Sequence, residues 1–120
     1  MKVKLHEVVN SLQSLQALGM EKMPIKLAYN IQRNMRLLSA EMDTYEKSRV
    51  DLIKSKYGTE QEDGSYQVSK DNMPEYRKEM ETLGMIEVDL DMHTITIADF
   101  GDIKVAPIAL DHLDWMIKEL

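Results

Sequence analysis

Cysteine is absent from the 120 residues, which excludes disulfides, thiolate nucleophiles and every zinc or iron–sulfur site that needs a thiolate ligand. That composition suits a reducing cytosol. No run of about 18 apolar residues occurs, and the first twenty residues mix polar and apolar types where a signal peptide would have an apolar core. The chain is therefore expected neither to span a membrane nor to be exported. Recognised catalytic and phosphate-binding motifs are missing too: there is no G-x-S-x-G elbow, no P-loop, no G-x-G-x-x-G and no H-E-x-x-H. The three histidines, His6, His93 and His112, fall in three separate predicted elements. No enzymatic activity, cofactor or metal is expected.

What is present is enough to fold. Hydrophobic residues make up 43% and charged residues 30%, a balance that can bury a core, and the length fits one domain over 1–120. The net charge of −6 hides a polarity: residues 1–40 carry +4, residues 41–57 balance, and residues 58–120 carry −10. So acidic a second half would be repelled by a phosphate backbone, which argues against duplex nucleic acid as a partner.

Leu5, Val8, Val9, Leu12, Leu15 and Leu18 recur at helical spacing over residues 4–18, predicting an amphipathic helix of about four turns. Gly19 is expected to end it in the left-handed conformation, and Pro24 to open a second helix in its first turn. No Gly or Pro interrupts residues 25–57, where Ala28, Ile31, Met35, Leu38, Met42, Tyr45, Arg49 and Leu52 step by three and four. This heptad seam would lie on a helix of about 50 Å, against about 26 Å across a compact domain of this size. One end must project, or the helix must pack along another chain. A homo-oligomer is expected on that ground, with Ile31, Met35, Leu38, Met42, Tyr45, Arg49 and Leu52 as its interface and Arg49 either fixing register or snorkelling to the surface.

Residues 58–84 read as a polar connection and a short helix. Asp63-Gly64 is a turn signal, Ser65 to Val68 a very short strand, and Asp71 or Asn72 a cap for a helix from about Pro74 to Leu83-Gly84. From residue 85 the period drops to two: Ile86, Val88, Leu90 and Met92 alternate with Glu87, Asp89 and Asp91, predicting a strand with one acidic face. These acids and His93 resemble a ligand row, but neighbours about 6.5–7 Å apart cannot converge on one ion, and a solvated face is expected. Thr94–Ile97 continues the strand character and Asp99–Asp102 turns the chain. Ile103-Lys104-Val105 could pair back as a hairpin, before a last helix from Pro107 carrying Ile108, Leu110, Leu113, Trp115, Met116, Ile117 and Leu120. The predicted fold is mainly α: a helical hairpin over 4–57 with one long heptad-bearing helix, and a small α/β C-terminal portion over 85–120.

Lys26, Tyr29, Asn30, Arg33 and Arg36 follow one another along a face of the long helix near its start. Two guanidiniums, an ammonium, an amide and a phenol can hold an anionic ligand such as a nucleotide, or an acidic protein surface. The bland alternative is an ordinary charged helix face. Ten methionines are many. Met20, Met23, Met35, Met42, Met85 and Met116 can be flexible core filler or an adaptable recognition surface.

With Lys22–Leu38 (KMPIKLAYNIQRNMRLL) and Gly101–Ile117 (GDIKVAPIALDHLDWMI) in place, the chain resembles small, largely uncharacterised accessory proteins of tailed phages and prophages. They share a short leading helix, a Pro-containing junction, a long charged helix, and an acidic strand before a Pro-initiated helix. The resemblance carries no catalytic residues. It implies an accessory protein working in the host bacterial cytoplasm, binding or sequestering a host component, with interference in host defence as the specific candidate. Two alternatives are a sponge, in which helices of adjacent subunits enclose a nucleotide using Lys26, Arg33 and Arg36, and a virion-assembly or replication accessory.

Overall fold

Two helices in sequence, each apolar on one side, fold back on each other at the Gly19–Pro24 bend. The computed structural model describes residues 1–118; Leu120, assigned to the last helix on sequence grounds, lies outside them. Strand β1 (Lys2–Lys4) leads into helix α1 (Leu5–Leu18), and α2 (Ile25–Leu52) follows the bend. The Glu7 carboxylate accepts a hydrogen bond from the Lys4 main-chain N–H (3.1 Å) and so satisfies an N–H ahead of α1's first turn. Gly19 does not take the left-handed conformation; at φ −62° it is an ordinary helical residue whose N–H reaches Leu15 O at 2.8 Å. Pro24 precedes the first residue of α2, and its carbonyl accepts from Ala28.

The α2 helix continues without interruption into a π-helical turn, Ile53–Tyr57. Beyond it, β2 (Gly58–Glu60) and β3 (Tyr66–Val68) form an antiparallel hairpin over the expected turn, where Gly64 has φ +86° and the Asp63 carboxylate accepts from the Ser65 N–H and hydroxyl. Helix α3 (Met73–Gly84) then runs back toward the body. Asn72 holds the N-cap position, as one of the two expected candidates, but makes no side-chain capping bond; its amide donates instead to Tyr57 O (3.2 Å). Strand β4 (Glu87–Asp89) pairs antiparallel with β1, so the chain's first strand depends on a partner 85 residues downstream, with Val3 opposite Val88.

The expected strand over residues 86–92 is shorter than its pattern, and its apolar face is buried only toward its end, with Ile86 47% exposed and Val88 half-buried. Leu90 and Met92 are buried, whereas Glu87, Asp89 and Asp91 are exposed. Residues 103–105 form no hairpin. Instead β5 (Ile95–Thr96) pairs in parallel with β6 (Ile117–Lys118), and Ile103 and Val105 lie half-buried against the core. The last helix, α4 (Pro107–Leu113), stops earlier than expected and gives way to a 3-10 turn, Asp114–Met116, which places Ile117 in a strand.

One core joins these parts: Leu12, Leu15, Ile31 and Leu38 from the hairpin meet Leu90, Met92, Ile95, Leu113 and Met116 from the C-terminal portion. The architecture is mainly α with a small α/β C-terminal portion. Its radius of gyration is 17.3 Å, against about 14 Å for a compact domain of this length, because the far half of α2 projects with the β2–β3 hairpin and α3 attached.

The chain itself buries the heptad seam at two positions. Ile31 and Leu38 are inside the core, so they are not open to a second copy, which corrects their assignment to an oligomer interface. Met35, Met42 and Tyr45 pack half-buried against the same core, and farther along Arg49 lies beside Tyr76 of α3. The helix is too long for one compact core, as its length implies, and α3 returns beside it, leaving Met35, Met42, Tyr45, Arg49 and Leu52 half-buried.

Candidate functional site

On a helix turning once every 3.6 residues, Lys26, Tyr29, Asn30, Arg33 and Arg36 fall within an arc of about 120°. The other side of the helix is held down by Leu27, Ile31, Asn34 and Leu38, all buried. The five expected site residues are thus brought onto one face, with Lys26, Tyr29, Arg33 and Arg36 exposed and Asn30 half-buried. Arg33 Nη1 donates to the Tyr29 hydroxyl at 3.4 Å, one turn away. None of Lys26, Arg33 and Arg36 is engaged in an ion pair among the described residues.

Two features flank this face that the pattern of α2 alone does not disclose. The first is apolar. At the bend, a cleft of about 520 Å³ is lined by Gln16, Met20, Met23, Ile31, Gln32 and Met35; Met20 of its lining and Ile25, the first residue of α2, are each 87% exposed. Three of the methionines named from the sequence therefore meet in one groove, while Met116 is core and Met85 lies elsewhere. The second is polar. A 3-10 turn, Ile97–Phe100, is closed by a reciprocal pair: the Asp99 carboxylate accepts from Thr96 N–H (3.0 Å), and Thr96 Oγ1 from Asp99 N–H (3.3 Å). The Thr96 N–H holds the Asp99 carboxyl below the usual carboxylate range, with a smaller contribution from the charge of Lys26. Phe100, Gly101 and Asp102, just after Asp99, line one cleft with Lys22 and Pro24, ahead of the basic face.

The acidic row is not convergent. Asp89 pairs with the Met1 ammonium at 2.9 Å, which lowers its carboxyl from the ordinary range, while Glu87 and Asp91 stand exposed on either side. Arg49, the break in the heptad, forks onto the Glu46 carboxylate one turn back (Nη2 to Oε2 2.9 Å, Nε to Oε2 3.2 Å). Glu46 first, and the Tyr76 hydroxyl second, stabilise its charge. Arg49 thus pairs within α2 and lies beside Tyr76 of α3, its side chain 35% exposed.

Sequence reasoning missed the polar residues inside. Ser11 and Asn34 are fully buried. Ser11 Oγ donates to His112 O and accepts from Trp115 Nε1, both at 2.8 Å, and Ser14 Oγ meets His112 Nδ1 at 2.8 Å. This network latches α4 and the turn after it onto α1. The available signal was small: both serines fall on the apolar side of α1, where a polar residue needs a partner. Among the described residues no helix is long and apolar enough to cross a membrane. No family model, curated protein or solved structure matches the chain.

Proposed function

We propose that this is a non-enzymatic accessory protein of the phage type, acting in a bacterial cytoplasm by binding or sequestering a host component, with a defence protein as the specific target. The observation that carries the binding reading is the face of α2 bearing Lys26, Arg33 and Arg36. All three are exposed, none is engaged in an ion pair among the described residues, and they sit beside an exposed apolar edge at Met20 and Ile25. Unpaired cations next to apolar surface match an acidic protein surface better than they match bulk water, because steering and burial then act on the same patch. The phage assignment rests on the sequence resemblance. A homo-oligomer stays part of this reading, with the half-buried Met35, Met42, Tyr45, Arg49 and Leu52 as the seam positions that a second copy would meet.

The test is a pull-down from infected cells with wild type and the Arg33→Glu/Arg36→Glu double variant, beside mass spectrometry of small molecules released from the purified protein. A host protein held by wild type and lost by the double variant, with helical content unchanged, supports the reading. Equal capture by both, together with loss in Asp89→Lys/Asp91→Lys, would transfer the function to the acidic strand. Release of a stoichiometric nucleotide would favour the sponge alternative.

A further inference from the structure

Helix α3 is fastened along its first two turns and again at its end. At its start, Asn72 is bonded to Tyr57 O, the Tyr57 and Tyr76 rings meet edge to face at 6.1 Å, and Lys56 pairs with Glu79 at 2.9 Å. At its end, Gly84 lies so close to α1 that a Cβ there would sit 3.3 Å from His6 Cβ, and Leu5 N–H donates to Ile86 O just beyond. Between these ties the α2 seam is only half covered, and a cleft of about 620 Å³ remains, lined by His6, Tyr45, Tyr76, Arg77, Met80 and Met85. That volume is within the range of small-molecule sites, about 300–1,000 Å³.

The lining specifies a class of ligand. Two tyrosine rings and two methionine side chains offer flat and adaptable apolar contact suited to an aromatic ring. The polar groups are mostly donors: the Tyr45 and Tyr76 hydroxyls, and the guanidinium of Arg77, which has no ion-pair partner among the described residues. Arg49 lies beside Tyr76 and offsets the charge of Glu46 only in part, since burial first and Glu46 second still raise the Tyr45 hydroxyl above its ordinary range, which places the favourable end for an anion at Arg77. Glu81, the one carboxylate of the lining, is exposed at the rim. We infer that the cleft between α3, the middle of α2 and the start of α1 is a binding site for a small aromatic carboxylate, its ring between Tyr45, Tyr76 and Met80 and its carboxylate toward Arg77. This site is separate from the basic face of α2 and stands or falls independently of it.

The ten methionines provide the readout. The full chain, labelled with ¹³C at the methionine methyls, is titrated with 2-naphthoate and, separately, with uncharged 2-naphthylmethanol. Saturable shifts at Met80 and Met85, with Met20, Met23 and Met35 unmoved and a Kd of about 1 mM or tighter, are expected for naphthoate. Arg77→Gln, an exposed change that leaves the fold intact, should weaken naphthoate by about fivefold or more and leave naphthylmethanol unchanged. Met80→Trp, which fills the cleft, should abolish both, with circular dichroism confirming the helices. The inference is overturned if naphthoate gives no saturable shift, if it moves the bend methionines instead, or if Arg77→Gln leaves naphthoate unaffected or weakens both probes alike.

Discussion

The side-chain amide of Asn34 closes a two-bond ring with the main chain of His93: Nδ2 donates to His93 O at 2.9 Å, and Oδ1 accepts from His93 N–H at 2.8 Å. Asn34 is 0% exposed, so α2 carries at its centre a side chain that does the work of a neighbouring strand, satisfying both main-chain groups of one residue. Asn34→Ala should leave those two groups without partners and lower stability by about 2–4 kcal/mol, read as a fall in the urea midpoint. A loss below about 0.5 kcal/mol, the scale of an ordinary surface change, would mean that water replaces the amide without cost.

The latch on α1 should behave similarly on a smaller scale. Ser11→Ala removes the acceptor of Trp115 Nε1 and the donor to His112 O, and should cost about 1–3 kcal/mol. Wild-type Trp115 fluorescence should be blue-shifted, and in Ser11→Ala it should move toward the red at denaturant concentrations where wild type is still native. Emission like that of free tryptophan in the wild type would contradict the packing described.

At Gly58, an added Cβ would lie 2.5 Å from both Ile53 O and Ile53 Cγ2, a conflict with backbone that no rotamer relieves. Gly58→Ala should therefore force the π turn to rearrange, at a cost of about 1–3 kcal/mol. Hydrogen exchange is expected to quicken around Tyr57 and the β2–β3 hairpin while the amides of α1 stay protected. Unchanged exchange in the hairpin would show that the turn adapts freely.

Acid should loosen the 3-10 turn after β5. The Asp99 carboxyl is held below its ordinary range by the Thr96 N–H and hydroxyl, so the stability it contributes is complete above the unfolded-state value, about pH 3.9, and is lost as pH falls through the lower folded-state value. Wild type should lose stability over that interval more steeply than Asp99→Asn, measured by urea titration at a series of pH values. Parallel curves would remove Asp99 from the account.

The elements that the sequence discloses are those whose signal is local. The period of α1, the uninterrupted stretch from Ile25, the Asp63-Gly64 turn and the alternation at Glu87–Met92 each reflect which side of one segment faces inward, and each side faces as expected. Partners were not legible. Val3 opposite Val88 and Ile95 opposite Ile117 are pairings of two- or three-residue strands, too short to show a period, and a heptad reads the same whether its cover is another chain or the same chain returning as α3. The basic face was legible because its residues share one helix. The cleft under α3 was not, because His6, Tyr45 and Tyr76 come from three elements brought together by the ties of α3 to Tyr57 and Lys56 and by the Gly84 contact with α1.

The way β1 pairs with β4 has a bearing on how the chain is made. Ser11 waits for Trp115, 104 residues later, and Asn34 for His93, 59 residues later. When Tyr57 has just been added to the growing chain, the α1–α2 hairpin exists in sequence, but Leu90, Met92, Ile95, Leu113 and Met116, the far wall of its core, have not yet been translated. At bacterial rates near the upper end of about 5–20 residues per second, the roughly sixty residues from there to Met116 take about 3 s, and nearer 12 s at the lower end. Throughout that interval the apolar side of the hairpin is uncovered, so a nascent chain stalled between Tyr57 and Trp115 is the form of this protein most exposed to chaperones and proteases.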